Sequence, residues 1–387
     1  MKSLWDEVKA QELQTDLALR VYSSNLLGGD DTLVLHGGGN TSVKIDDILY
    51  VKGSGWDLAS IKPEGFAPVK LQTLQEMAKL ATLSDTDMVT QQKAAMLDPS
   101  APNPSVEAIL HALIPYKFVD HTHADAVITI SNSKDGQKLI QELYPSFLIV
   151  PYVMPGFILA RKIYEMTQNF DWHSCGGIIL HHHGIFTFDD DAKISYEKMI
   201  KAVSSAEEFL STNARLNIPD LHVSNKFDLK GLKELISKEK DYEVSLHVNT
   251  SPLAKFYASQ DDLEEFATRG VLTPEHIIRT KRVPLIFKDN DISSKLEKYK
   301  AHYKAYFSKF AKEEICLNLA PNYAVVKDFG IIVFGKNEKE ANIINDIIEH
   351  TMFAVLRADK LGGYKSISLK DSFDMEYWEL EQAKLRR

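Results

Sequence analysis

Short apolar runs that end in glycine- or histidine-rich turns alternate along this chain with longer stretches of helical periodicity. Strands and helices taking turns bury their apolar faces against one another in layers, so the pattern predicts an α/β sandwich rather than a bundle or an all-β protein. Residues 4–27 carry apolar side chains at helical spacing and stop at Gly28-Gly29. Residues 32–35 lead into the turn His36-Gly37-Gly38-Gly39-Asn40, and 43–45 with 48–51 read as a hairpin around Asp46-Asp47. A second glycine turn follows, Lys52-Gly53-Ser54-Gly55, and residues 67–83 read as an extended piece and then a helix.

The loop 99–104, rich in proline, delivers Ser105 to a helix predicted to begin near Val106. On that helix Glu107 and His111 lie four residues apart on one face. Residues 120–130 read as a single strand and 147–150 as another. A third, 177–180, is expected to run on through His181-His182-His183-Gly184 into 185–188. A long amphipathic helix is predicted over 191–213.

With 387 residues, and domains of about 150 residues as the rule, two or three units are expected. The reading is a first unit over 1–225 and a smaller α/β unit over 240–387, joined by the charged, lysine-rich segment 224–242. The second unit holds a strand pair, 323–326 and 330–334, and a helix over 339–356. Its segment 324–334 resembles 178–188, with a helix following each, and Phe329 stands where His183 would be. A decayed repeat of this kind would have lost the ligand and be structural.

The net charge of −9 argues against nucleic acid, which demands a basic face to displace counterions, but leaves room for a local anion pocket. Cys175 and Cys316 are too few for a disulfide framework, and neither belongs to a paired cysteine motif. No apolar stretch reaches the ~18 residues of a membrane span. Acidic residues interrupt 1–19 too often for a signal peptide. The expected address is the cytoplasm.

His121-Thr122-His123 is the sharpest local signal, because residues i and i+2 of a strand point to the same face and can reach one ion. A lone His-x-His is ordinarily a solvated or hydrogen-bonded pair. A third ligand, His183, placed before a glycine, shifts the balance toward metal, and a catalytic zinc takes three protein ligands and leaves a position open. His181 is read as supporting or core and His182 as facing away. Glu107 either moves protons beside such a site or is a surface glutamate favoured at a helix start. His111 reads as a packed helix residue. Asn40, Ser54, Gly55 and Ser105 could cradle an anion through backbone amides and hydroxyls, although each turn taken singly is just a turn. Neither is a Walker loop or a dinucleotide fingerprint.

Together the motifs GGGNTS at 37–42, KGSG at 52–55, SVEAILH at 105–111, HTHAD at 121–125, PYVMPG at 151–156 and HHHG at 181–184 resemble the class II aldolase/adducin family in order. The whole chain is similar to the aldolase portion of bifunctional rhamnulose-1-phosphate aldolase/alcohol dehydrogenase proteins, supported by 266–282 and 373–385. It ends at Arg387 without the dehydrogenase glycine motif, so the resemblance extends to the aldolase portion.

The resemblance implies a three-layer α/β/α sandwich with a mixed, largely antiparallel sheet, assembled as a homo-oligomer, often a tetramer. It makes His121, His123 and His183 ligands of Zn2+ or another divalent metal and Glu107 the acid/base. Asn40, Ser54, Gly55 and Ser105 would line a phosphate pocket. Val106 stands where phosphate-binding members often have a second serine. The implied reaction is retro-aldol cleavage of a ketose 1-phosphate, rhamnulose-1-phosphate-like, to dihydroxyacetone phosphate and an aldehyde. Sugar-phosphate 4-epimerases and dehydratases share the site, and adducin heads keep the fold without catalysis. HTHAD also resembles the His-x-His-x-Asp of metallo-β-lactamase-like hydrolases, but those place a histidine after the aspartate, where this chain has Ala126.

Overall fold

The structure is a computed structural model, and it describes residues 1–222 and 226–386. The chain divides into two compact units: Met1–Ser131 with Asp135–Ser211, and Thr212–Arg386 with Asn132–Lys134.

The first unit is built on seven strands: β1 Asn40–Ile45, β2 Ile48–Lys52, β3 Phe66–Lys70, β4 Phe118–Thr122, β5 Leu148–Val150, β6 Ile178–Leu180 and β7 Gly184–Asp189. Their order across the sheet is β3-β2-β1-β4-β7-β6-β5. Every neighbouring pair is antiparallel except β5 with β6, which run in parallel. The predicted hairpin is there, with Asp46 taking a left-handed φ of 52° to close the turn.

Alternation along β4 shows how the layers form. Val119 packs with Leu110 of helix Ala108–Leu113 and Leu159 and Ile163 of helix Phe157–Met166. Phe118, one residue earlier, joins Val43 and Ala192 on the opposite face. Asp120 faces the same way and meets the Arg20 guanidinium and Ser195 Oγ, from helices Asp16–Gly28 and Ala192–Asn213. Because successive strand residues point to opposite faces, His121 falls on the side of helix Ala108–Leu113. Helices therefore cover both faces of the sheet, giving the three layers expected.

Three expectations need correction. Residues 120–130 are not one strand: β4 ends at Thr122, and Asp125–Ser131 is a helix. The ladder stops because the loop before β1 takes over, its Leu33 and Thr32 carbonyls accepting from His123 and Asp125 at 3.0 and 2.9 Å. Residues 185–188 do not continue the preceding strand but fold back on it, Leu180 pairing with Gly184. His182, at φ 62°, makes the reversal. The initial helical stretch is two helices, Glu7–Gln11 and Asp16–Gly28, the second capped by Thr15.

The second unit has its own sheet, β8 Ser245–Asn249, β9 Leu285–Phe287, β10 Tyr323–Val326 and β11 Gly330–Gly335, in the order β8-β11-β10-β9. The segment expected to connect the units belongs to this one, although residues 224 and 225 lie outside the described residues. Helix Leu229–Lys240 buries Leu232 and Ile236 in the core with Leu285, Phe287 and Phe334. Its lysines leave one apolar face free for that purpose.

The pairing β8-β11-β10-β9 repeats β4-β7-β6-β5: antiparallel, antiparallel, parallel. The hairpin turns agree in detail. His182 and Asp328 take φ of 62° and 56°, and the amides of His183 and Phe329 each donate at 3.0 Å to the last carbonyl of the preceding strand. In this hairpin Phe329 stands at the position that His183 holds in the other. By register, Val248 and Thr250 stand at the positions of His121 and His123, so the second sheet has no imidazole at any of the three.

Candidate metal centre

His121 lies near the end of β4, His123 just past it, and His183 in the β6–β7 turn that the β4–β7 pairing brings alongside. One ring nitrogen from each of these three side chains lies within 4.8 Å of the other two. His121 Nε2 and His123 Nε2 are 3.0 Å apart, close to the roughly 3.3 Å separating two nitrogens of a tetrahedral zinc.

The tautomer of His121 follows from its surroundings. Its Nδ1 is 3.1 Å from the Ile185 carbonyl oxygen, which only accepts, so Nδ1 carries the proton and Nε2 keeps its lone pair for the ion. Burial pushes the imidazole pKa well below its usual value, which favours the neutral, ligating form. Stacking on Phe186, ring centroids 4.0 Å apart and planes 10° off parallel, holds the ring in place.

Gly184 completes the cradle. A Cβ there would stand 2.5 Å from the Thr122 carbonyl oxygen, 2.8 Å from His121 Cε1 and 3.1 Å from His123 Cδ2. The approach of β7 to the ligands therefore depends on the missing side chain.

Glu107 is not on the surface; it is 5% exposed and sits at the N-cap of helix Ala108–Leu113, two residues later than that helix was expected to start. Its Oε2 is 3.5 Å from His121 Nε2 and its Oε1 is 3.7 Å from His183 Nε2. Oε1 is buried without a hydrogen-bond partner. An orphaned carboxylate oxygen beside three converging imidazoles fits a bound cation and its ligand sphere. Burial alone would raise the Glu107 pKa, but His121, His183, the Asn40 amide and His123 together hold it at about 2.

Asn40, expected in an anion pocket, and His111, expected to be a packed helix residue, instead organise this carboxylate. Asn40 donates from Nδ2 to Glu107 Oε2 at 2.6 Å, while its Oδ1 accepts from His111 Nε2. His111 Nδ1 in turn lies 2.8 Å from Ser42 Oγ. The chain Ser42–His111–Asn40–Glu107 fixes which end of the Asn40 amide faces the carboxylate. Burial lowers the His111 pKa to about 3, so the ring is neutral and must accept from Ser42 to donate to Asn40. The i, i+4 spacing of Glu107 and His111 was the only hint available in the sequence.

Of the other anion-pocket candidates, Ser54 and Ser105 are brought together by backbone pairing. The Ser54 amide donates to the Asn103 carbonyl at 2.8 Å and the Ser105 amide to the Lys52 carbonyl at 3.1 Å. Gly55 turns the chain at φ 89°. Ser105 Oγ accepts from the Glu107 amide at 3.3 Å. The Asn40 side chain is committed to Glu107 and His111. His181 Nδ1 lies 2.9 Å from Ser131 Oγ.

Residues 20–210 match the model of the class II aldolase and adducin N-terminal domain, and residues 225–385 match that of the aldolase class II second domain. The chain belongs to the class II aldolase family. A protein of Bacillus subtilis (strain 168) described as the uncharacterized oxidoreductase YuxG is 29% identical over 426 aligned residues. That match takes in 100% of this chain and 60% of the relative, so the chain spans 60% of the length of the curated relative it matches. Among solved structures, the N-terminal class II aldolase domain of a conserved protein from Thermoplasma acidophilum is 39% identical, with a TM-score of 0.49. It covers 54% of this chain and 99% of its own. The L-fuculose-1-phosphate aldolase of Thermus thermophilus is 17% identical, with a TM-score of 0.33, over 50% of this chain and 94% of its own.

Proposed function

We propose that this chain cleaves a ketose 1-phosphate by a zinc-dependent retro-aldol reaction, releasing dihydroxyacetone phosphate and an aldehyde. The observation that carries this reading is the Glu107 carboxylate set 3.5 and 3.7 Å from two of three converging imidazoles, with Oε1 unsatisfied. A metal held by His121, His123 and His183 supplies Lewis acidity for the negative charge that carbon–carbon cleavage leaves beside a ketone. Glu107 holds the proton that the carbon next to the carbonyl takes up on cleavage, and removes it in the condensation direction. Asn40 and His111 keep that carboxylate aimed. Ser54, Gly55 and Ser105 bind the phosphate through amides and hydroxyls, which positions the reacting carbons. The working form is a cytoplasmic homo-oligomer.

Metal analysis of protein purified without chelator, coupled to incubation with ketose 1-phosphates and their unphosphorylated sugars, tests this reading. The outcome expected is stoichiometric zinc and two carbon fragments from a phosphorylated ketose. An isomeric product or loss of water would replace cleavage with epimerisation or dehydration. Metal-free, inert protein would leave a scaffold.

A further inference from the structure

The second unit contains a cavity of about 530 Å³, inside the range of about 300–1,000 Å³ typical of small-molecule sites. One wall is aromatic: Tyr299, Tyr303 and Tyr306 project from helix Ile292–Phe310 at spacings of four and three residues, one face of the helix. Leu285 and Ile286 of β9 line it as well, with the residues leading into that strand, Arg282 among them. Arg282 closes the motif over 266–282 that the metal centre does not use.

The charges at this cavity do not cancel. Glu264 is paired with Lys288 at 3.1 Å and Glu265 with Arg269 at 3.0 Å, so both lining carboxylates are already engaged. Lys298 and His302 line the cavity as well, and among the described residues Lys298 makes no ion pair. Arg282 donates from Nη1 to the Thr268 carbonyl at 3.1 Å, but its Nε is buried with no acceptor. A buried guanidinium N–H left unmatched costs free energy that an incoming oxyanion would recover.

We propose that this cavity is a binding site for a small organic oxyanion with a flat apolar body, its carboxylate or phosphate on Arg282 and its body against the tyrosine wall. Every residue named belongs to the second unit, so the site does not depend on how the metal centre works. Arg282 binds the charge, Lys298 attracts it, and Tyr299, Tyr303 and Tyr306 select an apolar body over a bare inorganic ion.

The test uses the full chain and the fluorescent aromatic sulfonate 8-anilinonaphthalene-1-sulfonate as probe. Saturable binding is expected, weakened at least tenfold by Arg282→Gln and severalfold by Lys298→Glu, which lies on the exposed rim and leaves the packing untouched. Benzoate should displace the dye at concentrations where inorganic phosphate does not, which separates a bodied anion from the head group alone. Glu107→Gln and His183→Ala should leave dye binding unchanged. Should Arg282→Gln fail to fold by circular dichroism, Lys298→Glu and the benzoate competition still decide the matter. Non-saturable binding, equal displacement by phosphate and benzoate, or indifference to Lys298→Glu would each overturn the proposal.

Discussion

Gly184 stands where any side chain would press on His121: a Cβ at that position would come within 2.8 Å of the imidazole Cε1 and 2.5 Å of the neighbouring Thr122 carbonyl. The Thr122 contact is to backbone, which cannot swing aside as a flexible side chain would. Gly184→Ala should therefore part β4 from β7 locally and cost about 1–3 kcal/mol, the usual price of overpacking. Metal content should fall as well, since His121 lies on β4 and His123 and His183 border the two strands that would part. Zinc measured by plasma emission beside a thermal melt checks this. Full zinc content with an unchanged melting temperature would contradict the cradle.

Glu107 touches two of the imidazoles, yet its replacement should not empty the site. Glu107→Gln keeps the shape and the contact with Asn40 but removes the proton acceptor. If the proposed cleavage holds, its turnover should fall by at least ~10²-fold, the lower range for a general acid–base group. Zinc content should stay near that of the parent protein. Comparable turnover in the variant would sink the assigned role.

How much of this was legible beforehand differs by residue. The hairpin over 40–52 was readable because β-branched residues flank a two-aspartate turn that tolerates left-handed backbone. Helix Asp125–Ser131 was not, since Val127, Ile128, Thr129 and Ile130 are residues that favour strands. It forms because the loop residues Thr32 and Leu33 occupy the hydrogen-bonding positions that a longer β4 would need. The reversal at His182 was hidden because a histidine rarely takes positive φ. The bonds from Asn40 to Glu107 and His111 span 67 and 71 residues, so no local pattern could announce them. His121, His123 and His183, by contrast, lay in short motifs, HTHAD and HHHG, whose order along the chain with the others marked them out.

His111 sets a pH dependence whose direction follows from its burial. The ring titrates near 6.5 in the unfolded chain and near 3 in the folded one. Above pH 6.5 both states are neutral there, and the group exerts no pull on folding. Between pH 6.5 and 3 the unfolded chain takes up a proton that the native state refuses. Native stability should thus fall with acidification by up to about 1.4 kcal/mol per pH unit from this group. His111→Gln abolishes that titration. Urea unfolding at pH 7, 5.5 and 4.5 should show the stability of the parent protein falling more steeply than that of the variant. Parallel pH profiles would mean that the ring is protonated in the fold.

On the face of β4 opposite His121, Arg20 and Asp120 form an ion pair with both side chains 0% exposed. Arg20 also donates to the carbonyls of Ser42 and Val119, at 3.3 Å each, and so ties β1 to β4 from the face opposite His121. Asp120→Ala would leave a buried guanidinium without its counter-charge, a loss of about 3–5 kcal/mol for a broken buried pair. Replacing both partners with apolar residues of similar volume, Arg20→Met with Asp120→Leu, should recover much of that loss, because the uncompensated charge goes with it. The orientation of β4 rests on the Arg20 hydrogen bonds to backbone as well as on the charge pair. The double variant should therefore regain thermal stability while binding zinc more weakly than the parent. Melting curves and zinc titrations on the three proteins separate the two effects, and a double variant no more stable than Asp120→Ala would show that the pair contributes more than neutralisation.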